Sequence, residues 1–393
     1  MSSDSVVIVS GARTPMGGFQ GDLSGATAPQ LGAAAIKAAV ERAGVNPAEI
    51  DEVIMGCILT AGVKQGPARQ AMRNAGIPDS TGAVTINKLC GSGMKAVMQA
   101  HDTIKAGSAD IVVAGGMESM TNAPYILPQA RNGYRMGHNE VKDHMFLDGL
   151  EDADTGKLMG QFAQEMADEK GYTREQMDNF AIESLNRALT AINEGHFKDE
   201  VTPVTVKTRK GDVVVESDEQ PAKANAERIP LLRPAFAKEG SITAANASSI
   251  SDGAAAVVVT SEKVAQEKGF NIEAHIVATA SNSRHPSEFT IAPIGAMEKV
   301  LAKAGWSVED VDLWEINEAF AMVTMAAMDE LNIPHEKVNI EGGACALGHP
   351  VGCSGARILV TLINSLKRTG GKKGVGSLCI GGGEAVAVAI ELP

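Results

Sequence analysis

Ile36-Lys-Ala-Ala-Val-Glu-Arg-Ala-Gly44, followed by Asn46-Pro-Ala-Glu-Ile-Asp-Glu-Val-Ile-Met-Gly56, is the stretch that decides the fold, because it recurs late in the chain. The second copy reads Met297-Glu-Lys-Val-Leu-Ala-Lys-Ala-Gly305 and then Ser307-Val-Glu-Asp-Val-Asp-Leu-Trp-Glu-Ile-Asn317. Each copy predicts a helix that ends at its glycine, followed by a short buried strand.

Two further pairs of segments match in the same order. Cys90-Gly-Ser-Gly-Met-Lys95 corresponds to Gly352-Cys-Ser-Gly-Ala-Arg357, and each opens an apolar-striped helix. The apolar run 109–118 corresponds to the run 374–384. Short apolar strands that alternate with helices indicate βαβ units and sheets covered on both faces. We therefore expect an α/β protein built from two similar halves, residues 1–118 with 246–272 and residues 273–393.

Residues 119–245 between the two copies have no counterpart and predict an inserted domain. Thr173-Arg-Glu-Gln176 is a capping box, and the apolar stripe after it indicates a helix that ends before Gly195. Segments 201–206 and 213–216 predict a hairpin around Lys210-Gly-Asp212. This insertion is interpreted as a lid, a binding surface or an oligomer contact.

Composition narrows the possible partners. The 393 residues carry a net charge of −13, which argues against nucleic acid, because phosphates need a basic surface. No apolar run approaches the roughly 18 residues that a membrane span needs, so we expect no membrane contact. The start of the chain shows no leader pattern, and the five cysteines form no CxxC motif. These features predict a cytoplasmic protein with reduced thiols.

Four residues are candidates for chemistry, each with a structural alternative. Cys90 lies between a predicted strand and a helix, where the helix dipole would lower the pKa of its thiol; the alternative is a small buried hydrophobe. Cys379 precedes Gly381-Gly-Gly383, whose exposed amides suit an oxyanion hole, although a core cysteine is the simpler interpretation. His349 stands in a glycine-rich loop and is either functional or a satisfied loop histidine. Asn317 is either a polarising amide or the N-cap of the following helix.

Other kinds of site are disfavoured. The sequence contains no Walker loop, no GxGxxG motif that opens a βαβ unit, and no spacing typical of zinc ligands. We therefore expect neither a metal nor a dinucleotide cofactor.

Together these segments resemble the thiolase family, and the resemblance extends along nearly the whole chain. Within the family, the chain is most similar to the biosynthetic members that form acetoacetyl-CoA. The matching motifs are Val9-Ser-Gly-Ala-Arg-Thr-Pro15, Asn87-Lys-Leu-Cys-Gly-Ser-Gly93, Ala114-Gly-Gly-Met-Glu-Ser119, Asn246-Ala-Ser248, Asn317-Glu-Ala-Phe320, Gly342-Gly343, Gly348-His-Pro-Val-Gly352 and Cys379-Ile-Gly-Gly-Gly383.

The resemblance implies a thiolase fold, in which two similar βαβαβαββ halves form five α/β/α/β/α layers. Residues 119–245 would then be the loop domain over coenzyme A. It also implies a homodimer or homotetramer, the substrates acetyl-CoA, acetoacetyl-CoA and CoA, and no separate cofactor.

The resemblance also assigns roles to residues. Cys90 is the acylated nucleophile, His349 takes its proton, and Cys379 is the acid/base for the α-carbon of the second acetyl-CoA. Asn317 holds a water that forms one oxyanion hole with His349, and the amides of Cys90 and Gly381 form the other. The implied residues of the substrate and coenzyme A site are Ser248, Met159, Phe320 and Phe289.

The chain departs from the pattern of biosynthetic members at three positions, and these departures weaken the assignment of residues that contact coenzyme A. Leu158 stands where a His is usual, Gln220-Pro-Ala222-Lys223 where an Arg is frequent, and Phe289 where a Met is usual. The alternatives are a degradative 3-ketoacyl-CoA thiolase of broader chain length and a non-catalytic acyl-CoA-binding protein. A ketoacyl synthase is disfavoured because those enzymes place a His at the position of Cys379.

Overall fold

The computed structural model describes residues 5–393. Residues 1–4, which belong to the segment where no leader peptide is expected, lie outside the described part of the chain. The strands are β1 (Val6–Arg13), β2 (Gly17–Gly18), β3 (Glu52–Gly56), β4 (Gly82–Ile86), β5 (Ile111–Ser119), β6 (Tyr125–Ile126), β7 (Lys142–Asp143), β8 (Val204–Thr208), β9 (Gly211–Val215), β10 (Ser251–Ser261), β11 (Ala274–Ser283), β12 (Leu313–Ile316), β13 (Lys373–Ile380) and β14 (Glu384–Glu391). The helices are α1 (Ala28–Ala43), α2 (Pro67–Asn74), α3 (Ser92–Lys105), α4 (Met159–Lys170), α5 (Arg174–Glu194), α6 (Glu219–Lys223), α7 (Glu262–Lys268), α8 (Ala292–Ala304), α9 (Ala321–Leu331), α10 (Ala344–Leu347) and α11 (Ser354–Thr369).

The duplication predicted from the sequence is confirmed by the order of the strands. The first half follows β1-β10-β5-β3-β4, and the second follows β11-β14-β13-β12 with the same alternation of parallel and antiparallel neighbours. A parallel bridge between Trp314 and Val338 stands where β4 pairs with β3 in the first half. The halves join through a short antiparallel contact of β1 with β11, at Val7–His275 and Ile8–Ala274.

Helices cover both sheets and produce the expected five layers. Helices α1 and α2 pack on the outer face of the first sheet, and α8 and α9 pack on the outer face of the second. Helices α3 and α11 pack against each other between the sheets, and their apolar side chains share one core with both. Both sheets are therefore buried on two faces, which agrees with the almost continuous apolar composition of β5, β10 and β13.

The central helices meet at their N-termini, where glycines allow backbone to touch backbone. A Cβ atom added at Gly93 would lie 2.8 Å from the backbone nitrogen of Ala356, and one added at Gly355 would lie 2.4 Å from that of Met94. At Gly116 of β5, a Cβ atom would lie 1.9 Å from the carbonyl oxygen of Gly352. Since α3 follows Cys90 and α11 follows the His349 loop, this contact brings the two candidate residues together.

The insertion contains the elements that its sequence predicted. Helix α5 begins after Thr173, whose hydroxyl accepts the Gln176 N–H, and it ends at Gly195 with a left-handed φ of 76°. Strands β8 and β9 form an antiparallel hairpin, with ends one to three residues away from the predicted bounds. The buried ion pairs of Arg13 with Glu200 and Asp218 fasten the insertion to β1.

Within residues 5–393, the structure contains no helix that is long and apolar enough to cross a membrane.

Gly355→Ala should destabilise the protein because its Cβ atom would meet backbone on the facing helix rather than a flexible side chain. Overpacking of this kind costs about 1–3 kcal/mol, so the apparent melting temperature should fall by several degrees. Gly82→Ala is the matched control, because the nearest atom to its Cβ is 3.8 Å away. Equal melting temperatures for the two variants would contradict the backbone contact.

Candidate active site

A cavity of about 680 Å³ opens between the two halves and the insertion. Its volume suits a small organic ligand or cofactor. The sequence-predicted residues in its wall are Cys90, Met159, Ser248, Phe289, Phe320, His349 and Gly381. Thus residues that are far apart in the sequence line a single cavity. Cys379 and Asn317 do not line it; they are almost completely buried, with 0% and 1% of their surface exposed.

Cys90 sits on a sharp turn between β4 and α3. Leu89, immediately before it, has a φ of 48°, a left-handed conformation that is uncommon for a leucine. The Ser92 hydroxyl accepts the Lys88 N–H at 2.8 Å and donates to the Leu89 carbonyl at 2.7 Å. Gly91 leaves no room for a side chain, since its Cβ would lie 2.4 Å from Ile380. The strained turn presents the half-buried thiol to the cavity.

The expected low pKa of the Cys90 thiol is wrong. Burial raises the pKa of Cys90 to about 11, and the backbone N–H groups of Gly381 and of Cys90 itself oppose that effect only in part. The helix N-terminus is therefore not sufficient to ionise the thiol. The same two N–H groups lie close to the reacting sulfur, and hence near the carbonyl oxygen of an acyl group that Cys90 would carry.

Cys379 lies close enough to Cys90 for the two thiols to affect each other. Burial raises the pKa of Cys379 well above its usual value, and the nearby Cys90 raises it further. It lies at the end of β13, packed in an apolar cluster with Phe289 and Phe320. Both cysteines are consequently thiols at neutral pH, and neither ionises without a base or a substrate.

His349 is oriented through one ring nitrogen and open at the other. Its Nδ1 atom lies 2.5 Å from the Ser354 hydroxyl, whereas Nε2 has no hydrogen-bond partner in the described part of the chain. Gly348 precedes it with a φ of 101°, and a Cβ there would lie 2.1 Å from the Ser251 hydroxyl. Burial lowers the pKa of His349 to about 3, with a further contribution from Arg357. The imidazole is therefore neutral at physiological pH.

The N-cap interpretation of Asn317 is wrong, because α9 begins at Ala321 and Phe320 is its N-cap. The backbone N–H of Asn317 donates to the Ser377 carbonyl at 3.0 Å. Its side-chain oxygen and nitrogen, both buried, have no hydrogen-bond partner among residues 5–393. An unsatisfied buried amide of this kind is expected to bind a water or a ligand.

Two residues that sequence reasoning did not single out also support the site. The Glu118 carboxylate, at the end of β5, accepts N–H groups from Ile58, Leu59 and Gly352 at 3.0–3.1 Å. Burial raises its pKa to about 7, against the effect of these donors. It joins Gly352, in the loop that follows His349, to the segment after β3. Only the place of Glu118 after Gly115-Gly-Met117 in a repeated segment could have indicated it. Ser354 could have been identified in the same way, because it corresponds to Ser92 in the repeated segment.

Comparison with known proteins agrees with this geometry. Residues 6–263 match the model of the thiolase N-terminal domain, and residues 270–392 match that of the thiolase C-terminal domain. The chain belongs to the thiolase family. Thiolases act on CoA thioesters, and this thiolase is therefore an acyltransferase.

Relatives and solved structures cover the chain almost completely. The thiolase is 50% identical to an acetyl-CoA acetyltransferase of Cupriavidus necator over 98% of this chain and 99% of the relative. It is 48% identical to one of Pseudomonas aeruginosa over 98% of both. The crystal structure of the Bacillus anthracis acetyl-CoA acetyltransferase superimposes with a TM-score of 0.97 at 44% identity, covering 99% of each chain.

The structure also bears on metal binding. Throughout the described chain, no group of three or more His, Cys, Asp or Glu side chains is placed so that it could hold a metal ion. The polar groups that face Cys90 are instead an imidazole and backbone amides.

Iodoacetamide should alkylate Cys90 before the other four cysteines, because Cys90 alone among them lines the cavity. The rate should keep rising from pH 7 to pH 10, since the thiolate fraction grows about tenfold per pH unit below a raised pKa. Peptide mapping after partial inactivation measures both effects. A plateau below pH 8, or first labelling of Cys379, would contradict the protonation states described above.

Proposed function

We propose that this thiolase is an acetyl-CoA C-acetyltransferase, which reversibly condenses two acetyl-CoA molecules to acetoacetyl-CoA and CoA through an acetylated Cys90. The main observation is the placement of the strained Cys90 turn, the open Nε2 of His349 and the two converging amides in one cavity. The names of the relatives in Cupriavidus, Pseudomonas and Bacillus support the choice of acetyl-CoA.

In the first half-reaction, the Cys90 thiol gives its proton to His349 Nε2 and the sulfur attacks the acetyl-CoA carbonyl. The oxyanion of the tetrahedral intermediate accepts hydrogen bonds from the amides of Cys90 and Gly381, each of which lowers the barrier by about 3 kcal/mol. The C–S bond to CoA breaks, the CoA sulfur takes the proton back, and Cys90 carries the acetyl group. This division into two steps is the benefit of covalent catalysis.

In the second half-reaction, the Cys379 thiol first gives its proton to His349 Nε2, and the thiolate so formed removes an α-proton from a second acetyl-CoA. The enolate oxygen accepts hydrogen bonds from protonated Nε2 of His349 and from a water held by the Asn317 amide, whose atoms are otherwise unpartnered among residues 5–393. The enolate carbon attacks the acetyl group on Cys90, the thioester bond to sulfur breaks as acetoacetyl-CoA forms, and the Cys90 sulfur takes the proton from His349 Nε2. The thioester itself acidifies the α-carbon, so the reaction balances without a metal or a redox cofactor.

For coenzyme A, we assign the wall formed by the insertion. Residues 119–245 contribute Phe146, Leu158, Met159, Phe236 and Lys223 to the cavity, which supports their role as a loop domain over the coenzyme. Ser248 lies on the same wall and is the proposed pantetheine contact. Lys223 is the one Lys or Arg among the described residues that line the cavity, and Glu219 and Asp22 already pair with it.

We further propose a cytoplasmic homodimer or homotetramer. Apolar side chains are exposed on the segment after β5 and on the edge strand β4, namely Tyr125, Leu127, Met136, Val141 and Val84. An exposed edge strand and an apolar patch are typical of surfaces that associate.

Variants of the two cysteines should affect the two half-reactions differently. Cys90→Ala should abolish condensation and thiolysis, because no acyl group can be held. Cys379→Ser should still form the acetyl adduct on Cys90 but condense at least 100-fold more slowly, because no group of suitable pKa removes the α-proton. Mass mapping after incubation with acetyl-CoA measures the adduct, and acetoacetyl-CoA formation measures the second step.

The same experiment addresses the non-catalytic alternative. An adduct on a residue other than Cys90, or no adduct in the natural protein, would overturn the proposed function. Equal loss of both half-reactions in Cys379→Ser would reject the assigned division between the cysteines.

A chain-length panel should separate the biosynthetic from the degradative alternative. The rings of Phe236 and Phe289 pack edge-on against Phe320, with centroids 6.0 and 6.3 Å from it, and all three line the cavity. This aromatic wall favours short acyl groups, so thiolysis of the four-carbon 3-ketoacyl-CoA should exceed that of the eight-carbon one at least tenfold.

Phe289→Ala should reduce the ratio of four-carbon to eight-carbon thiolysis rates. Phe270→Ala removes a ring that does not line the cavity and should leave this ratio unchanged. Initial rates at subsaturating substrate measure both. Faster thiolysis of the eight-carbon substrate by the natural protein would favour the degradative alternative.

A further inference from the structure

The hydrogen bond between His349 and Ser354 is the contact from which a further role follows. Ser354 is the first residue of α11, and only 1% of its surface is exposed. Its hydroxyl lies 2.5 Å from His349 Nδ1 and 3.1 Å from the Pro350 carbonyl, to which it donates. The position of the hydroxyl is fixed by the helix, because the Ser354 backbone N–H also donates to the Pro350 carbonyl at 3.0 Å.

The proton inventory of these groups selects one form of the imidazole. A serine hydroxyl has one proton and can accept two hydrogen bonds. When the hydroxyl donates this proton to the Pro350 carbonyl, its oxygen is an acceptor toward Nδ1, and Nδ1 then carries the ring proton. A neutral imidazole has only one such proton, so Nε2 holds a lone pair. This is the nitrogen that has no partner among residues 5–393.

We propose that Ser354 is a positioning residue that keeps the ring proton of His349 on Nδ1 and thereby leaves Nε2 as the base for Cys90. This proposal rests on the proposed function, because it specifies how the first proton transfer of that reaction is prepared. Ser354 touches neither the substrate nor the reacting sulfur and acts only through His349.

The internal duplication supplies independent support. Ser92 occupies the matching position at the start of α3, and its hydroxyl accepts the Lys88 N–H while donating to the Leu89 carbonyl. Thus the first residue of each central helix uses its hydroxyl to hold the loop that carries a reactive side chain. In the first half that side chain is Cys90, and in the second it is His349.

The choice of a hydroxyl has a chemical consequence. A carboxylate on Nδ1 would stabilise the imidazolium and strengthen its hold on the proton taken from Cys90. A neutral hydroxyl orients the ring without adding a negative charge, and the proton returns readily to the leaving CoA sulfur. The neighbouring positive charge of Arg357 acts in the same direction.

Ser354→Ala tests the proposal in the full-length enzyme. We expect kcat for condensation to fall about 10–100-fold, the range typical of lost supporting hydrogen bonds, with KM for acetyl-CoA changed less than threefold. Ser354→Thr keeps the hydroxyl and should recover most of the rate. Ser365→Ala removes another buried hydroxyl from α11 and serves as the control, with kcat unchanged. The melting temperature of each variant shows whether a loss of activity is due to unfolding.

A spectroscopic measurement on the unmodified protein tests the same proposal without substrate. In the ¹⁵N spectrum, the His349 signals, assigned by their loss in His349→Gln, should show Nδ1 protonated and Nε2 unprotonated at pH 7. Ser354→Ala should lose this preference. The reverse protonation in the natural protein, or a kcat for Ser354→Ala within twofold of that for Ser365→Ala, would overturn the role of Ser354.

The two proposals fail in distinguishable ways. If acetyl-CoA left no adduct on Cys90 while the ¹⁵N spectrum showed the expected proton on Nδ1, the proposed function would fail and the hydrogen bond would stand. If the adduct formed but the ring proton lay on Nε2, only the inference about Ser354 would fail.

Discussion

The close contact between the N-termini of α3 and α11 is the constraint on which the rest of the structure depends. Gly93 and Gly355 allow the two backbones to touch, and Gly116 admits the carbonyl of Gly352 from the opposite half. A larger residue at any of these positions would separate the helices. The Cys90 turn precedes one helix and the His349 loop precedes the other, so the same contact that joins the halves also assembles the site.

The three side chains that react, those of Cys90, Cys379 and His349, are neutral. Burial favours the uncharged forms of Cys90, Cys379 and His349, so that no ion has to be desolvated before the substrate enters. The open Nε2, the unpartnered Asn317 amide and the convergent backbone N–H groups are dipoles already oriented toward charge that forms only during reaction. A preorganised site of this kind needs little reorganisation when an oxyanion appears.

Much of the fold was predictable because its signals are local and repeated. The helix endings at Gly44 and Gly305 and the capping box at Thr173 depend on adjacent residues, and the structure contains each of them. The resemblance to thiolases also predicted a site around Cys90 and His349. The role of Asn317 as an N-cap was mispredicted because four residues separate the end of β12 from the start of α9.

The protonation of Cys90 was mispredicted for a different reason. The helix N-terminus that should lower its pKa is visible in the sequence, whereas the burial that raises it arises from distant elements such as β13 and the insertion. Phe236 escaped prediction for the same reason, since it packs on Phe320 from a separate segment, whereas the family resemblance implied both Phe289 and Phe320.

The glycine contacts also determine which parts of the cavity evolution can change. Around Cys90 and His349 much of the surface is made by main chain: a methyl group at Gly116 would meet the backbone of Gly352, and one at Gly91 or Gly348 would meet a buried neighbouring side chain. The opposite wall, from the insertion and from Phe289, consists of side chains that a single codon change can replace. New acyl preferences can therefore arise on this scaffold through point mutation, while the bond-forming chemistry is inherited unaltered with the backbone.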